Sequence, residues 1–489
     1  MAETTRALTY EELLFEYQRV SQELAQLQRL IFGQKRERFV PVANVQQLAI
    51  ALPGEATTTT PPVPTQTISY TRRQKKSSTS NPPVRKPWPA HLRREEIRLE
   101  PKEDVSALTK MGEEKTEELE YVPAELYVKV YLRPKYAKPN GEGIVIAELP
   151  ARPIEKGTAG PGLIAHMMIS KYVDHMPLYR QLQQFRRDKV EIAESTASGW
   201  MKASGETLVP LCDLLRALVQ QSSYLMVDET PIPVLDQTKP GKTHLGYYWV
   251  YYDPIAKLVY FDYRPSRSRA GPNEMLKDFQ GYLQCDGYTG YEDILARAEV
   301  VGVGCMAHAR RYFEQAQDSD RERVEWMLMK LQALYRLERE AREANMSFEA
   351  RHAHRQKYAL SILQEIHAWL KQNSTQVLPK SMMGKAIGYM LGQWSKLEAY
   401  TRDGRLEIDN NLVENAIRPV ALGRKNYLFA GSHEGAKRAA IIYSLLATAK
   451  RHNVELFEYL KHILTNISNH PHHKLAELLP QNWKNPAAQ

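Results

Sequence analysis

Apolar positions near the start of the chain recur in alternating steps of four and three, at Leu13, Tyr17, Val20, Leu24, Leu27 and Ile31. That spacing draws one seam down a helix, the repeat of a coiled coil. It predicts a helix over residues 9–32, with Thr9 and Glu12 at capping-box spacing and Gly33 as its stop. The seam spans under three heptads, so a dimer zipper and a helix folded against its own chain both fit it. Alternation of period two follows in ELYVKVYLRP, with KPNGEG as a turn, and predicts a small β module over 96–155. PGLIAHMMISKYVDH, PLYRQLQQFRRDK and AESTASGWMKA then give three short helices between 161 and 204. The last two resemble a helix-turn-helix, with Ser195, Thr196 and Ser198 at the front of the reading helix, although a plain bundle has the same pattern.

Residues 222–306 turn to strands. SSYLMVDET is a buried run ending in acid, and HLGYYWVYYDPIAKLVYFDYRPS is a hairpin turning at Asp253 and Pro254. AGPNEMLKDF is helical, GYLQCDGYTGY is a second apolar strand ending in acid, and VVGVGCMAH is a third. The chain is then helical and highly charged from 309 to about 400. After Gly404 comes LEIDNNLVENAIRPVALGRKNYLF and a final helical stretch.

Composition narrows this picture. The chain has 489 residues, 43% hydrophobic and 25% charged. At roughly 150 residues per domain that is about three domains, and wholesale disorder is excluded. The net charge of +9 gains meaning from its placement. Residues 40–90 have linker composition, and Arg72, Arg73, Lys75, Lys76, Arg85, Lys86, Arg93 and Arg94 lie within 71–94 with no acidic residue among them. A basic arm of that kind suits a phosphate backbone, because binding releases counterions; a solvated linker is the plainer reading. Cys212, Cys285 and Cys305 are the only cysteines. Three cannot build a disulfide framework or an all-cysteine zinc site, so a reducing, cytoplasmic setting is expected. No apolar run approaches the ~20 residues of a membrane span, and the first residues lack a secretory pattern.

Two carboxylates carry the chemistry. Asp228 follows Tyr224-Leu225-Met226-Val227, and Asp286 follows Tyr282-Leu283-Gln284-Cys285, each at the C-terminal end of an apolar strand. In open α/β sheets that edge is where ligands bind. A buried carboxylate there needs a partner, and Mg²⁺ is a natural one. Glu414 is the best third carboxylate, on the first turns of a helix capped by Asp409 or Asn410. Arg418, Arg424 and Lys425 follow it in a stretch with Tyr427 and Phe429, a mixture suited to a nucleic-acid backbone and an unstacked base. Glu229 neighbours Asp228 but points to the opposite strand face. Asp236, Asp253 and Asp262 are expected as surface groups. Cys305 and His308 have CxxH spacing, yet two ligands make no zinc site, so His308 is expected to be a satisfied polar contact.

The segments YLMVDETPIPVLD, FDYRPSRS, GYLQCDGYTGY, GCMAHARR, LPKSMMGKAIGYM and GRLEIDNNLVENAIRPVALGRKNYLFAGS together resemble the transposases of the insertion sequence 66 family. KYVDHMPLYRQLQQFRR, EYVPAELYVKVYLRPKYA and LQRLIFGQKRERF resemble the same family upstream, so the likeness covers nearly the whole chain apart from about 45–90. It implies a multidomain α/β protein: an RNase H-like catalytic core with a helical insertion, preceded by an N-terminal coiled-coil helix, a small β module and a helical helix-turn-helix-like domain. The implied divisions are 1–40, a basic linker 41–95, the β module 96–155, a helical DNA-binding domain 156–220, the first part of the core 221–310, the insertion 311–400, and core completion with C-terminal helices 401–489. By the same likeness Asp228, Asp286 and Glu414 form a DDE triad binding two Mg²⁺, with Mn²⁺ as a substitute. The triad cuts DNA at transposon ends and then joins a freed 3′-hydroxyl to target DNA. Arg310 and Arg311 in GCMAHARR count with the DNA-contacting residues. At least a dimer, and small accessory proteins of the same element, are the implied partners, and no membrane. An RNase H-like nuclease without strand transfer and an inactive end-binding regulator are the alternatives. The chain departs from the family in one respect. Family members carry a cysteine-rich, zinc-finger-like module before the helical domain, whereas Tyr136-Ala137-Lys138-Pro139 stands here where a cysteine pair is expected. A β unit without structural zinc is therefore expected.

Overall fold

The computed structural model describes residues 87–101, 109–122, 125–138, 143–155, 157–236 and 241–485. The N-terminal seam, and Arg72, Arg73, Lys75, Lys76, Arg85 and Lys86 of the basic arm, lie outside the described residues. Arg93 and Arg94 are described and serve the fold. Arg93 pairs with Glu125 at 3.1 Å and covers the Tyr127 ring at 4.4 Å. Arg94 donates to the carbonyls of Trp88, Pro89, Ala90 and Leu92. Both guanidinium groups are thus engaged within the chain, which corrects their assignment to a free arm.

The first sheet is built around β3 (Glu125–Ala137). β2 (Thr109–Val122) runs antiparallel to it, with a register shift between Lys110 and Gly112; β1 (Arg93–Arg98) pairs in parallel and β4 (Ile144–Ile146) antiparallel. Alternation places Leu119, Val128 and Val130 in the core. Glu118 and Glu120 lie on the other face of β2 and are also buried. Glu120 accepts the Leu163 N–H at 3.1 Å and the Lys129 ammonium at 3.2 Å. Glu118 pairs with Arg152 at 3.0 Å, and burial still pushes its carboxyl up to about 7. These carboxylates press on the start of α1 (Pro161–Tyr172). A Cβ at Gly162 would lie 2.3 Å from Glu120 Oε1, so only glycine permits this approach.

α2 (Leu178–Arg187), α3 (Glu194–Thr207) and α4 (Val209–Gln220) follow. The three helices expected from the sequence are present, and α4 adds a fourth. The second sheet contains β5 (Tyr224–Leu235), β6 (Thr243–Asp253), β7 (Leu258–Arg264), β8 (Gly281–Gln284) and β9 (Val300–Val303), in the order β7-β6-β5-β8-β9. β5, β8 and β9 are parallel, and β6 is antiparallel to both β5 and β7. A short helix, α5 (Ala270–Met275), precedes β8, and α6 (Glu292–Leu295) precedes β9. α7 (Met306–Gln315), α8 (Arg321–Glu343), α9 (Phe348–Ser374), α10 (Met382–Gly392) and α11 (Trp394–Glu398) form the long helical stretch. The chain closes with α12 (Asn411–Tyr427), α13 (His433–Arg451) and α14 (Leu456–Asn466), the last packing against α1. The outer edge of β7 is covered by α13. The Val259 and Phe261 N–H groups donate to Thr448 Oγ1 and Ser444 Oγ at 3.0 and 2.8 Å, which satisfies a strand edge that would otherwise be open.

Two turn-and-strand aspartates are not surface groups. Asp253 is 7% exposed and accepts the Ile255 and Ala256 N–H groups, each at 2.8 Å, together with the Ser222 hydroxyl. Asp262 pairs with Arg264 at 2.8 Å. Asp253 supplies its own turn with acceptors, and Asp262 is neutralised within its strand; both therefore tolerate burial. Asp236 stays at the hairpin end, its N–H donating to the Lys242 carbonyl. Among the described residues no helix is long and apolar enough to cross a membrane.

Candidate functional site

Asp228 does not end its strand, as the apolar run suggested. β5 continues to Leu235 because β6 pairs with it throughout, from Met226 to Leu235. Its parallel neighbour β8 stops at the Met226–Gln284 pair. Asp228 thus sits where the parallel half of the sheet gives out, and Asp286 lies two residues beyond β8. The Asp228 carboxylate accepts the Glu229 N–H at 2.8 Å, and Asp286 accepts the Tyr288 N–H at 2.9 Å.

Glu414 arrives on the first turn of α12, and polar contacts fasten that turn to the sheet. The Asn410 side-chain amide donates to the Val227 carbonyl at 2.9 Å, one residue from Asp228. The Asn410 N–H donates to Cys305 Sγ at 3.2 Å, and the Met306 N–H to the Ile408 carbonyl at 3.1 Å. Asp409, one residue before the N-cap Asn410, accepts the Asn411 N–H at 3.1 Å and the Tyr335 hydroxyl at 3.0 Å. Upstream, the Glu407 N–H donates to the Tyr224 hydroxyl, which in turn donates to Gln284. Gln284 donates to the carbonyls of Gly304 and Glu407.

Asp228, His308, Arg311, Glu414, Asn415 and Arg418 line an open cleft of about 610 Å³. Asp286 is not part of that lining, but its charge reaches Asp228. Burial pushes the Asp228 carboxyl up to about 8, and the charges of Glu229, Asp286 and Glu414 add to the effect. Glu229 does face away. Its side chain is 4% exposed and pairs with Arg267, with Tyr291 donating at 3.3 Å. Glu414 Oε1 is buried without a hydrogen-bond partner. Clustered, half-buried acid that forms no ion pair with Lys or Arg fits a hard divalent cation, for which oxygen is the preferred donor.

The basic residues divide. Arg311 and Arg418 are exposed at the cleft. Arg310 points elsewhere and pairs with Glu314 at 2.9 Å. Arg424 is half-buried and donates to the Pro231 carbonyl, so it braces α12 against β5. Lys425 is exposed outside the cleft lining. Tyr427 is bonded to Tyr443 instead of lying open to a base, while Phe429 is exposed. Ser195, Thr196 and Ser198 are exposed on the first turn of α3. They do not line this cleft.

Three neighbours of the site had no role assigned from the sequence. His308 is not a satisfied contact, because its Nδ1 is buried without a partner and lies 3.9 Å from Glu414 Oε1. Arg267 stacks over the Tyr288 ring at 3.8 Å while holding Glu229. Tyr389 of α10 stacks on Tyr312 with centroids 4.4 Å apart and packs against Gly287 beside Asp286. The sequence signals were the motifs FDYRPSRS, GCMAHARR and LPKSMMGKAIGYM, which carry Arg267, His308 and Tyr389.

Comparison with known proteins gives the family. Residues 156–438 match the family model described as "Transposase IS66 family". Residues 19–97 match "Transposase C of IS166 homeodomain", and residues 444–481 match "IS66 C-terminal element". The chain is 31% identical to the uncharacterized protein y4hP of Sinorhizobium fredii (strain NBRC 101917 / NGR234), over 95% of this chain and 88% of the relative. It is 33% identical to the uncharacterized protein y4qI of the same organism, over 94% and 87% respectively. With a family model spanning more than half of its length and relatives aligned almost end to end, the chain belongs to the IS66 transposase family.

Proposed function

We propose that this transposase works as a DDE enzyme, with Asp228, Asp286 and Glu414 as its metal-binding triad. The observation that carries the reading is the meeting of Asp228 from β5 and Glu414 from α12 in one cleft, with the acidic charge there uncompensated by the chain. The sheet order β7-β6-β5-β8-β9, with a helical stretch between β9 and α12, supports an RNase H-like core carrying an insertion. Asp228, Asp286 and Glu414 would hold two Mg²⁺, or Mn²⁺, which would supply activation of the attacking oxygen and stabilisation of the leaving one. The chain's own residues do the rest. Arg311 and Arg418 receive the phosphate backbone at the cleft, and Asn410 fixes the α12 N-terminus so that Glu414 stays beside Asp228. The basic arm is assigned to DNA, as is the front of α3, which does not line the cleft. The substrate is then the element's terminal repeats and target DNA, handled by at least a dimer in the cytoplasm with small accessory proteins of the element. The zinc-free β module belongs to the same reading.

The test is to incubate the full-length protein with its own element ends and Mg²⁺. Strand-specific nicks and joined products are expected. Nicks without joining would make it a nuclease, and binding without nicks a regulator.

Metal binding also has a signature in stability. Asp228 titrates near 8 in the folded chain, against about 3.9 when unfolded. The folded state therefore holds the extra proton between these values, and stability falls as pH rises through that window. Mg²⁺ replaces the proton, so it should raise the melting temperature more at about pH 9 than at about pH 6. At 100-fold excess over Kd a ligand adds about 2.7 kcal/mol. Equal shifts at both pH values, read by scanning fluorimetry, would separate Mg²⁺ binding from Asp228.

A further inference from the structure

Cys305 and His308 sit at the start of α7, and the fold brings them Glu414 from α12. The ligand atoms of these three side chains all lie within 4.8 Å of one another. The 3.9 Å between His308 Nδ1 and Glu414 Oε1 is near the roughly 3.4 Å that two ligands keep on tetrahedral Zn²⁺ at bond lengths of about 2.0–2.2 Å. Both atoms are buried and have no hydrogen-bond partner. Cys305 is 1% exposed, and its Sγ already accepts the Asn410 N–H, a dipole that favours a thiolate.

We propose that Cys305, His308 and Glu414 form a second metal site, for a borderline-soft divalent ion such as Zn²⁺, which shares Glu414 with the magnesium centre and shuts that centre when filled. The donor sets differ in kind. Sulfur and imidazole suit Zn²⁺, whereas Asp228 and Asp286 offer only oxygen, which suits Mg²⁺. His308 and Glu414 line the open cleft while Cys305 lies buried behind them, so the cleft side leaves the fourth position to water. On Zn²⁺ binding the thiol proton would leave to solvent, the S–Zn bond would form, and the Glu414 oxygen that already lies 3.9 Å from His308 would be held by zinc and withdrawn from the magnesium centre. Inhibition, but not the site itself, rests on the reading of Glu414 as a magnesium ligand.

The test uses metal-free full-length protein and Co²⁺ as a coloured stand-in for Zn²⁺. A thiolate-to-cobalt charge-transfer band at one ion per chain is expected. It should persist in Cys212→Ser and Cys285→Ser, vanish in Cys305→Ser, and need much more Co²⁺ in His308→Ala. The affinity loss in His308→Ala should exceed the roughly 10–100-fold that loss of an outer-shell partner costs. In the second arm Zn²⁺ is added to Mg²⁺-dependent end cleavage. Wild type is inhibited, and in Cys305→Ser half-inhibition needs over about 10-fold more Zn²⁺, each protein being compared with its own Mg²⁺ rate. No band, or a band that survives Cys305→Ser, overturns the site. A band without inhibition overturns the shared carboxylate. Failure of cleavage with Mg²⁺ alone counts against the transposase mechanism and leaves the cobalt spectrum to decide the site.

Discussion

Asp228→Asn should abolish Mg²⁺-dependent nicking at the element ends while leaving the protein folded, and at alkaline pH more stable than wild type. The substitution keeps the volume of the side chain and removes its charge. A single group aimed at transition-state charge is worth on the order of 10²–10³ in rate, and a metal ligand acts on the same charge, so a loss of about 10³-fold is expected. Stability moves the other way. In the folded chain the ionised form of Asp228 is disfavoured by burial and by Glu229, Asp286 and Glu414. Asparagine pays no such penalty, so the gain over wild type should be absent near pH 4 and grow as pH rises toward 8. A nicking assay and a thermal melt on the same preparation check both halves. Nicking that survives the substitution would remove Asp228 from the centre. A destabilised variant at alkaline pH would show that its carboxylate has a partner the geometry does not reveal.

Arg355→Met should cost about 3–5 kcal/mol of stability, the range for breaking a buried ion pair from one side. Arg355 is 0% exposed and donates to both oxygens of Glu338, and to the carbonyls of Tyr400, Asp403 and Leu406, all at 2.7–2.8 Å. Arg351 joins from the same helix, pairing with Glu338 at 2.7 Å and Glu407 at 2.8 Å. Although burial opposes it, these guanidinium groups hold the Glu338 carboxyl below the usual carboxylate range. Methionine would remove the donors to the Tyr400 and Leu406 carbonyls, leave the Asp403 carbonyl with the Leu406 N–H alone, and leave Glu338 half-neutralised. Lysine is expected to fail too, because one ammonium cannot span the fork of acceptors. The segment these arginines hold, 400–407, leads into α12, so end cleavage should fall with stability. Urea unfolding measures the loss, and a change under about 1 kcal/mol would contradict a role for the cluster in holding the helical stretch to the core. The pH dependence has the opposite sign to that at Asp228. The contribution of Glu338 is present above its unfolded pKa of about 4.3 and fades in acid, so the two proteins should converge as pH falls.

Much of this architecture is legible locally. Period-two alternation marks β3 and the β6–β7 hairpin, helical patterns mark α1 to α3 and the charged stretch from α8 to α10, and both strand-associated aspartates stand out by following apolar runs. The errors share a cause. Asp253 and Asp262 looked like surface groups, Arg93 and Arg94 like a free arm, and His308 like a settled contact. A charged side chain at a turn or strand end carries no local mark of what will neutralise it. Asp253 is hydrogen-bonded by the N–H groups of its own turn and Asp262 is paired with Arg264, whereas Arg93 finds Glu125 and Tyr127 on another strand. The same limit hid the true position of Asp228, since its run ends with β8 and β5 goes on with β6.

The sequence by itself determined the kind and order of most of the described elements, the two aspartates at the sheet and the family likeness, because periodicity and motif spacing are properties of neighbouring residues. Only the tertiary structure decided that Asn410 pins the start of α12 beside Asp228, that Arg311 and Arg418 share the cleft while Arg424 braces a carbonyl, and that Glu414 meets both Cys305 and His308. Those outcomes depend on burial and on partners brought together across more than a hundred residues of chain, and in a low-dielectric interior the partner decides whether a charge is stabilising, costly or ready to take a metal ion.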